Sequence, residues 1–218
     1  VVLPFDEERA RFEASRCIHC PDPAPCVLAC PVHNDIPSAM WLIEHGEFEE
    51  ALGLYLRTSS FPCFCGRVCP HETLCQGSCV LSKDSAPVLT GHLEAFVADY
   101  ALCRWLSEGA VVDTTVQHDQ KVAVVGAGPA GLSCANDLAK KGYSVTVFDA
   151  MPHPGGLLMY GIPNFKLPRN VIYPQIDRLK MMGVEFVNNT RIGEQKTVDD
   201  LFTDGYKAVF IGIGTWVD

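Results

Sequence analysis

The spacing of apolar and polar positions divides the chain into two stretches with different periods. In the first, residues 5–16 form a charged pattern with helical spacing. Asp35, Ile36 and Pro37 mark a helix start, with proline near the first helical position. Helices are expected over 38–45 and 47–57, and a longer one over 90–107, where Leu93, Phe96, Val97, Tyr100 and Ala101 recur on one face. Everything between them reads as loops. From Lys121 the pattern changes to buried strand, glycine turn, helix, strand. Strands are expected over 122–125, 144–148, 184–187 and 208–211. Helices are expected over 129–142, ended by Gly142, and over 171–183 despite Pro174. Alternating strand and helix implies a parallel sheet covered on both faces. The expected organisation is a helical domain over 1–108, a polar linker over 109–120 and an α/β domain over 121–218. That sheet has too few strands to close a dinucleotide fold. With a first residue other than Met, the chain reads as a piece of a longer protein.

Composition narrows the classes. Hydrophobic residues make up 48% of the chain, enough for a buried core. The longest apolar runs, 122–128 and 208–214, are strand-sized and too short to cross a bilayer, so no membrane insertion is expected. The opening Val-Val-Leu-Pro turns acidic at once, which is not a secretory leader, and a cytoplasmic location is expected. A net charge of −9 argues against nucleic acid or an anionic membrane as the main partner.

The cysteines change the picture most. Of eleven, nine fall between Cys17 and Cys79. The first block is Cys17, Cys20, Cys26 and Cys30, with Pro31 after the last. The second is Cys65, Cys69, Cys75 and Cys79, with Pro70 after Cys69. Gaps of two and three residues let successive thiolates converge on one small inorganic centre, and a cubane iron–sulfur cluster takes four soft ligands. In ferredoxin-like runs the cysteine before proline ligates the other cluster. Cys17, Cys20 and Cys26 then serve one cluster, and Cys30 joins a remote trio on the second. A zinc-stabilised nucleotide-binding interaction module is the rival, but zinc knuckles come as even pairs, unlike these. Cys63, Cys103 and Cys134 are surplus thiols, and Cys65 is ambiguous.

The second stretch carries Gly126-Ala127-Gly128-Pro129-Ala130-Gly131 between a strand and a helix. In this context the motif is specific. Gly126 allows the turn, Gly128 admits a pyrophosphate, Gly131 lets helix and strand pack closely, and the helix N-terminus offers free N–H groups. Asp149 ends the next strand, 23 residues after Gly126. Its carboxylate suits ribose hydroxyls and repels a 2′-phosphate, so FAD, or else NAD, is expected there and NADP is not. Gly155 and Gly156 offer backbone without side chains, as a flavin approaching closely requires.

Together the cysteine layout, the glycine loop and the run Pro154-Gly-Gly-Leu-Leu-Met-Tyr-Gly-Ile-Pro-Asn-Phe-Lys-Leu-Pro168 resemble the small (β) subunit of NADPH-dependent glutamate synthase. They also resemble the N-terminal part of dihydropyrimidine dehydrogenase, the large subunit of NADH-dependent ferredoxin:NADP oxidoreductase, and sulfide dehydrogenases. The resemblance implies an α-helical domain with two [4Fe–4S] clusters, followed by an incomplete α/β Rossmann-type FAD domain. The missing NAD(P)H domain is expected to leave this piece inactive alone. It implies that Cys17, Cys20, Cys26 and a non-cysteine ligand, Glu94, hold the first cluster. Cys30, Cys69, Cys75 and Cys79 hold the second, and Cys65 matches a cysteine that is not a ligand. For FAD it implies Val68, the glycine loop, Asp149, Gly156, Leu157, Lys166 and a position near Ile192; Lys166 reads equally well as a surface charge. The implied activity is electron transfer from NADPH or NADH through FAD and the clusters to a larger catalytic subunit or a ferredoxin-like acceptor.

Overall fold

The computed structural model describes residues 5–108 and 118–215. The chain divides into two compact units, 1–108 and 109–218. Most of the expected linker, and the side chain of Cys103, lie outside the described residues.

The first unit is helical: α1 (Glu7–Ser15), α2 (Pro25–Ala29), α3 (Ile36–His45), α4 (Phe48–Tyr55), α5 (Pro62–Val68) and α6 (Thr90–Glu108), with short 3-10 turns at His71–Thr73 and Val80–Lys83. Local chemistry sets the ends. The Asp6 carboxylate accepts from Arg9 N to cap α1, and Asp35 accepts from Ser38 N to cap α3, with Pro37 in its first turn. Met40 and Ile43 of α3, Leu52 and Tyr55 of α4, Phe64 of α5, and Leu93 and Val97 of α6 form the core. Each such side chain removed from water contributes about 1.5–3 kcal/mol. Phe48 meets Phe96 and Tyr100 edge-on, with ring centroids 5.1 and 4.9 Å away, fastening α4 along α6. The segments expected as cysteine loops thus contain two short helices, α2 and α5. Each starts at a proline inside a cysteine run, where too few residues remain for periodicity to show.

The second unit alternates strand and helix: β1 (Lys121–Val125), α7 (Pro129–Lys140), β2 (Ser144–Phe148), α8 (Leu157–Tyr160), α9 (Arg169–Met181), β3 (Glu185–Val187), α10 (Val198–Thr203) and β4 (Tyr206–Ile211). The sheet runs β3-β2-β1-β4, with every pairing parallel. The strand order reverses on either side of β1, which makes the end of β1 the topological switch point. Ala123, Val125 and Phe148 face Leu201 of α10, with Ile192, Tyr206 and Val209 closing that layer. Val124 faces the other way, beneath Gly131 of α7. The expected helices and strands are present with ends shifted by at most two residues. Helices α8 and α10 were not expected. One turn of α8 and six residues of α10 are too short for periodicity to reveal.

Candidate metal centre and dinucleotide site

In the helical unit the cysteines sort into two groups. Cys17 follows α1, its N–H donating to Ala14 O at 2.9 Å; Cys26 sits on α2; Cys79 precedes the 80–83 turn. These three and Cys20 line one pocket, whose other walls are mainly apolar, including Ile36, Pro37 and Met40. Burial pushes the Cys17 thiol up and the Cys26 thiol up to about 12. Such a site needs a cation to hold its cysteines as thiolates.

The second group is Cys30 at the end of α2, Cys69 at the end of α5, Cys75, and Glu94 on α6. Cys30, Cys75 and Glu94 are the charged neighbours of Cys69. Thr90 Oγ1, one turn before Glu94, lies 3.1 Å from Cys75 Sγ. Cys65 stands behind the group. Its thiol is hydrogen-bonded to Cys69, which lowers the Cys69 pKa and raises its own, and Ser59 Oγ is 3.7 Å from Cys65 Sγ. Glu94 is only 7% exposed, and its Oε1 has no hydrogen-bond partner. Burial drives its carboxyl well above the usual carboxylate range. An unpaired buried carboxylate costs several kcal/mol, a large share of the roughly 5–15 kcal/mol that holds a domain folded. A metal bound at that oxygen removes the deficit, so three thiols and an orphaned carboxylate fit a four-ligand cluster.

This grouping differs from the implied partition by one exchange: Cys79 lies with Cys17, Cys20 and Cys26, and Glu94 with Cys30, Cys69 and Cys75. The physical reason is that a gap of three residues turns the chain between the centres. Cys26 and Cys30 fall on opposite sides, and so do Cys75 and Cys79. Cys63 is buried on α5, and His71 packs its ring against Gly91. Val68 is half-buried at the end of α5. Tyr55, Ser59 and Thr90 carry no signature in the sequence, although Thr90 is one turn from Glu94 on the same helix.

In the α/β unit the site is built from backbone. Gly126 has φ +101°, and a Cβ there would lie 2.4 Å from Gly212 O. A Cβ on Gly131 would lie 1.8 Å from Gly126 O, so glycine alone lets α7 start this close to β1. Gly128 caps α7, and Pro129 and Ala130 form its exposed first turn. Gly155 N donates to Ala127 O at 2.7 Å, laying the 155–156 loop against the glycine loop. A Cβ on Gly156, at φ +52°, would come within 2.7 Å of Gly128 Cα. The two glycines form a cradle that any side chain would fill.

Asp149 Oδ2 accepts from Ala127 N at 2.5 Å, and Oδ1 from Met151 N at 2.7 Å. Each oxygen keeps a lone pair for a ribose hydroxyl. Asp149, Gly126 and Ile192 line one pocket of about 320 Å³, the scale of a nucleoside site. Thr190, Arg191 and Glu194 complete its wall, and Arg191 Nε lies 3.5 Å from Glu194 Oε1. These wall residues come from the turn after β3, which carries no motif. Leu157 heads α8 and is 66% exposed. Lys166 is exposed on the turn closed by its own N–H to Pro163 O, away from the walls of that pocket. Tyr160 is 44% exposed, and its hydroxyl accepts from His153 N at 3.0 Å. Met159 is buried.

Comparison with known proteins finds a match to each unit. Residues 1–104 match the family described as dihydropyrimidine dehydrogenase domain II, 4Fe-4S cluster. Residues 124–165 match the NAD(P)-binding Rossmann-like domain. The glutamate synthase [NADPH] small chain of Escherichia coli (strain K12) is 42% identical over 98% of this chain and 44% of its own length. The chain is a homologue of the glutamate synthase small chains. The same homology extends to the NADP(+)-dependent formate dehydrogenase subunit beta of Moorella thermoacetica, 39% identical over 88% of this chain and 29% of that protein. It extends also to the NAD-dependent dihydropyrimidine dehydrogenase subunit PreT of Escherichia coli O157:H7, 37% identical over 93% of this chain and 48% of that one. The chain spans under half the length of these relatives. An iron–sulfur domain followed by a partial Rossmann-like domain is therefore its fold. Among the described residues no helix is long and apolar enough to cross a membrane.

Proposed function

We propose that this chain is the electron-relay portion of an NAD(P)H-dependent iron–sulfur flavoprotein, most like the glutamate synthase small subunit. Cys17, Cys20, Cys26 and Cys79 would hold one [4Fe–4S] cluster, and Cys30, Cys69, Cys75 and Glu94 a second. The glycine loop, Asp149, Gly156 and the Ile192 turn would hold the adenosine and pyrophosphate of FAD, with Val68, Leu157 and Lys166 as further proposed contacts. When bound, these groups supply the exchange between two-electron and one-electron chemistry. The protein's own residues bind and tune. Thiolates and one carboxylate fix the ligand set, Cys65 and Thr90 hydrogen-bond the ligand sulfurs, and Asp149 orients the ribose.

The single observation that carries this reading is the second ligand group, where Cys69 has Cys30, Cys75 and Glu94 as neighbours and the buried Glu94 carboxyl keeps an oxygen with no partner. A solvated helix glutamate would not be built that way. The relatives are named for different enzymes, a glutamate synthase, a formate dehydrogenase and a dihydropyrimidine dehydrogenase. A shared electron-transfer role is the proposed common element, and a larger catalytic subunit is the proposed acceptor. Anaerobic reconstitution of the full chain tests the reading. It should yield brown protein with equal iron and acid-labile sulfide, sufficient for two clusters, and flavin released on denaturation. Colourless protein containing zinc and no sulfide would establish the interaction-module reading instead.

A further inference from the structure

The turn that follows α4 joins the two cysteine groups. Thr58 Oγ1 donates to Asn34 Oδ1 at 2.6 Å, tying this turn to the segment just after Cys30. Ser59 Oγ lies 3.7 Å from Cys65 Sγ, tying it to the second block. Both residues also donate their backbone N–H to Tyr55 O, at 3.2 and 2.9 Å. Tyr55 is therefore anchored at the junction, its side chain 2% exposed and its hydroxyl without a hydrogen-bond partner. Its charged neighbours come from both groups: Glu94 foremost, then Cys75, Cys26 and Cys30.

A phenylalanine would fill the same space without desolvating a hydroxyl. The phenol is therefore unfavourable in the empty fold unless something there accepts its proton. The groups around it become strong acceptors when they carry negative charge, as thiolates, carboxylate or the sulfides of a bound cluster do. Glu94, foremost of those neighbours, presents the complementary deficit, an oxygen with no partner. Two orphaned buried groups, one a donor and one a ligand, mark a single place where a bound centre satisfies both.

We infer that Tyr55 is a positioning and tuning residue whose hydroxyl donates a hydrogen bond to the centre held by Cys30, Cys69, Cys75 and Glu94. This rests on the cluster reading above. Donation to a cluster or its ligands stabilises the reduced, more negative form and raises the potential. Removing the hydroxyl should then make that centre harder to reduce while leaving its ligands in place.

The test is Tyr55→Phe in the full chain, reconstituted anaerobically and titrated under EPR. Iron and sulfide should stay at the unsubstituted level. The potential of the Glu94-side cluster should move downward, and that of the Cys79-side cluster should hold. A second readout needs no comparison of folding. In the unsubstituted protein exchanged into D₂O, pulsed EPR of the reduced cluster should show an exchangeable-deuteron coupling that Tyr55→Phe lacks. Identification of the Glu94-side signal comes from a Glu94→Cys variant, which alters that signal alone. Unchanged potentials with unchanged deuteron couplings overturn the Tyr55 role while leaving the clusters standing. A shift confined to the Cys79-side cluster overturns it too. Unsubstituted protein that takes up no iron and sulfide overturns the cluster reading and this inference together.

Discussion

The two units meet the problem of holding a redox group in opposite ways. The helical unit uses side chains. Its proposed ligands come from α1's end, α2, α5's end, the 70–80 loop and α6, and their value lies in which thiol faces which centre. The α/β unit uses backbone. Its site is the absence of side chains at Gly126, Gly128, Gly131 and Gly156, plus one carboxylate at Asp149. A side-chain site depends on tertiary placement of distant residues. A backbone site is specified locally, by glycines at fixed offsets between a strand and a helix.

That contrast predicts that single ligand substitutions have the largest effect, and in a pattern that tests the partition. Cys79→Ala should remove the cluster lost with Cys17→Ala, and Cys69→Ala the one lost with Cys30→Ala. Each should cut iron content by about half. The combination Cys17→Ala with Cys79→Ala should lose no more iron than either alone, whereas Cys30→Ala with Cys79→Ala should lose nearly all. If Cys79→Ala instead behaves like Cys30→Ala, the partition implied by family resemblance stands and the geometric one falls.

The next effect in size lies in the backbone site. Gly131→Ala places a methyl 1.8 Å from Gly126 O, a clash with backbone that no rotamer relieves. Destabilisation of about 1–3 kcal/mol is expected, with loss of flavin and full retention of iron. Flavin fluorescence and iron analysis on one sample separate the two units. Asp149→Asn should be milder. It keeps one acceptor oxygen and removes the charge-assisted hydrogen bonds, worth roughly 1.5–3 kcal/mol. Flavin affinity should fall about ten- to a hundredfold in a fluorescence titration, with cluster EPR unchanged.

The same contrast explains what was legible beforehand. The glycine loop, Asp149 and the alternation of strand and helix were readable because each depends on neighbours within some thirty residues. The cysteines announced an iron–sulfur centre by type and spacing. The division between centres was not readable, because Cys26 and Cys30 share a gap with Cys75 and Cys79, and a gap does not say where the chain turns. The family resemblance placed Glu94 with Cys17, Cys20 and Cys26, whereas the fold places Cys79 there and Glu94 beside Cys69. Tyr55 was invisible for a related reason. In the sequence it is one apolar-patterned position among those of α4, and only burial without a hydrogen-bond partner sets it apart.

The smallest expected effect concerns the part of the α/β unit that is local in every respect. Thr197 and Asp200 form a capping box on α10. Thr197 Oγ1 accepts from Asp200 N at 3.1 Å, and Asp200 Oδ2 accepts from Thr197 N at 2.8 Å and from its hydroxyl at 2.8 Å. The hydrogen bonds from the Thr197 backbone and hydroxyl hold the Asp200 carboxyl below its ordinary value of 3.8. A depressed folded pKa gives stabilisation that is present above the ordinary value and lost as pH falls through the lower, folded one. Thr197→Ala should thus speed amide exchange of α10 modestly at pH 7, read as the ratio of variant to unsubstituted protein. That ratio should shrink as the medium is taken below about pH 4, where the ordinary aspartate begins to protonate. It should not reach unity, since Asp200 N still donates to the Thr197 hydroxyl whatever the charge on the carboxylate. A ratio that is flat with pH would mean that the carboxylate contributes nothing to the cap. An effect spreading to iron or flavin content would mean that α10 is not the independent local element its hydrogen bonds describe.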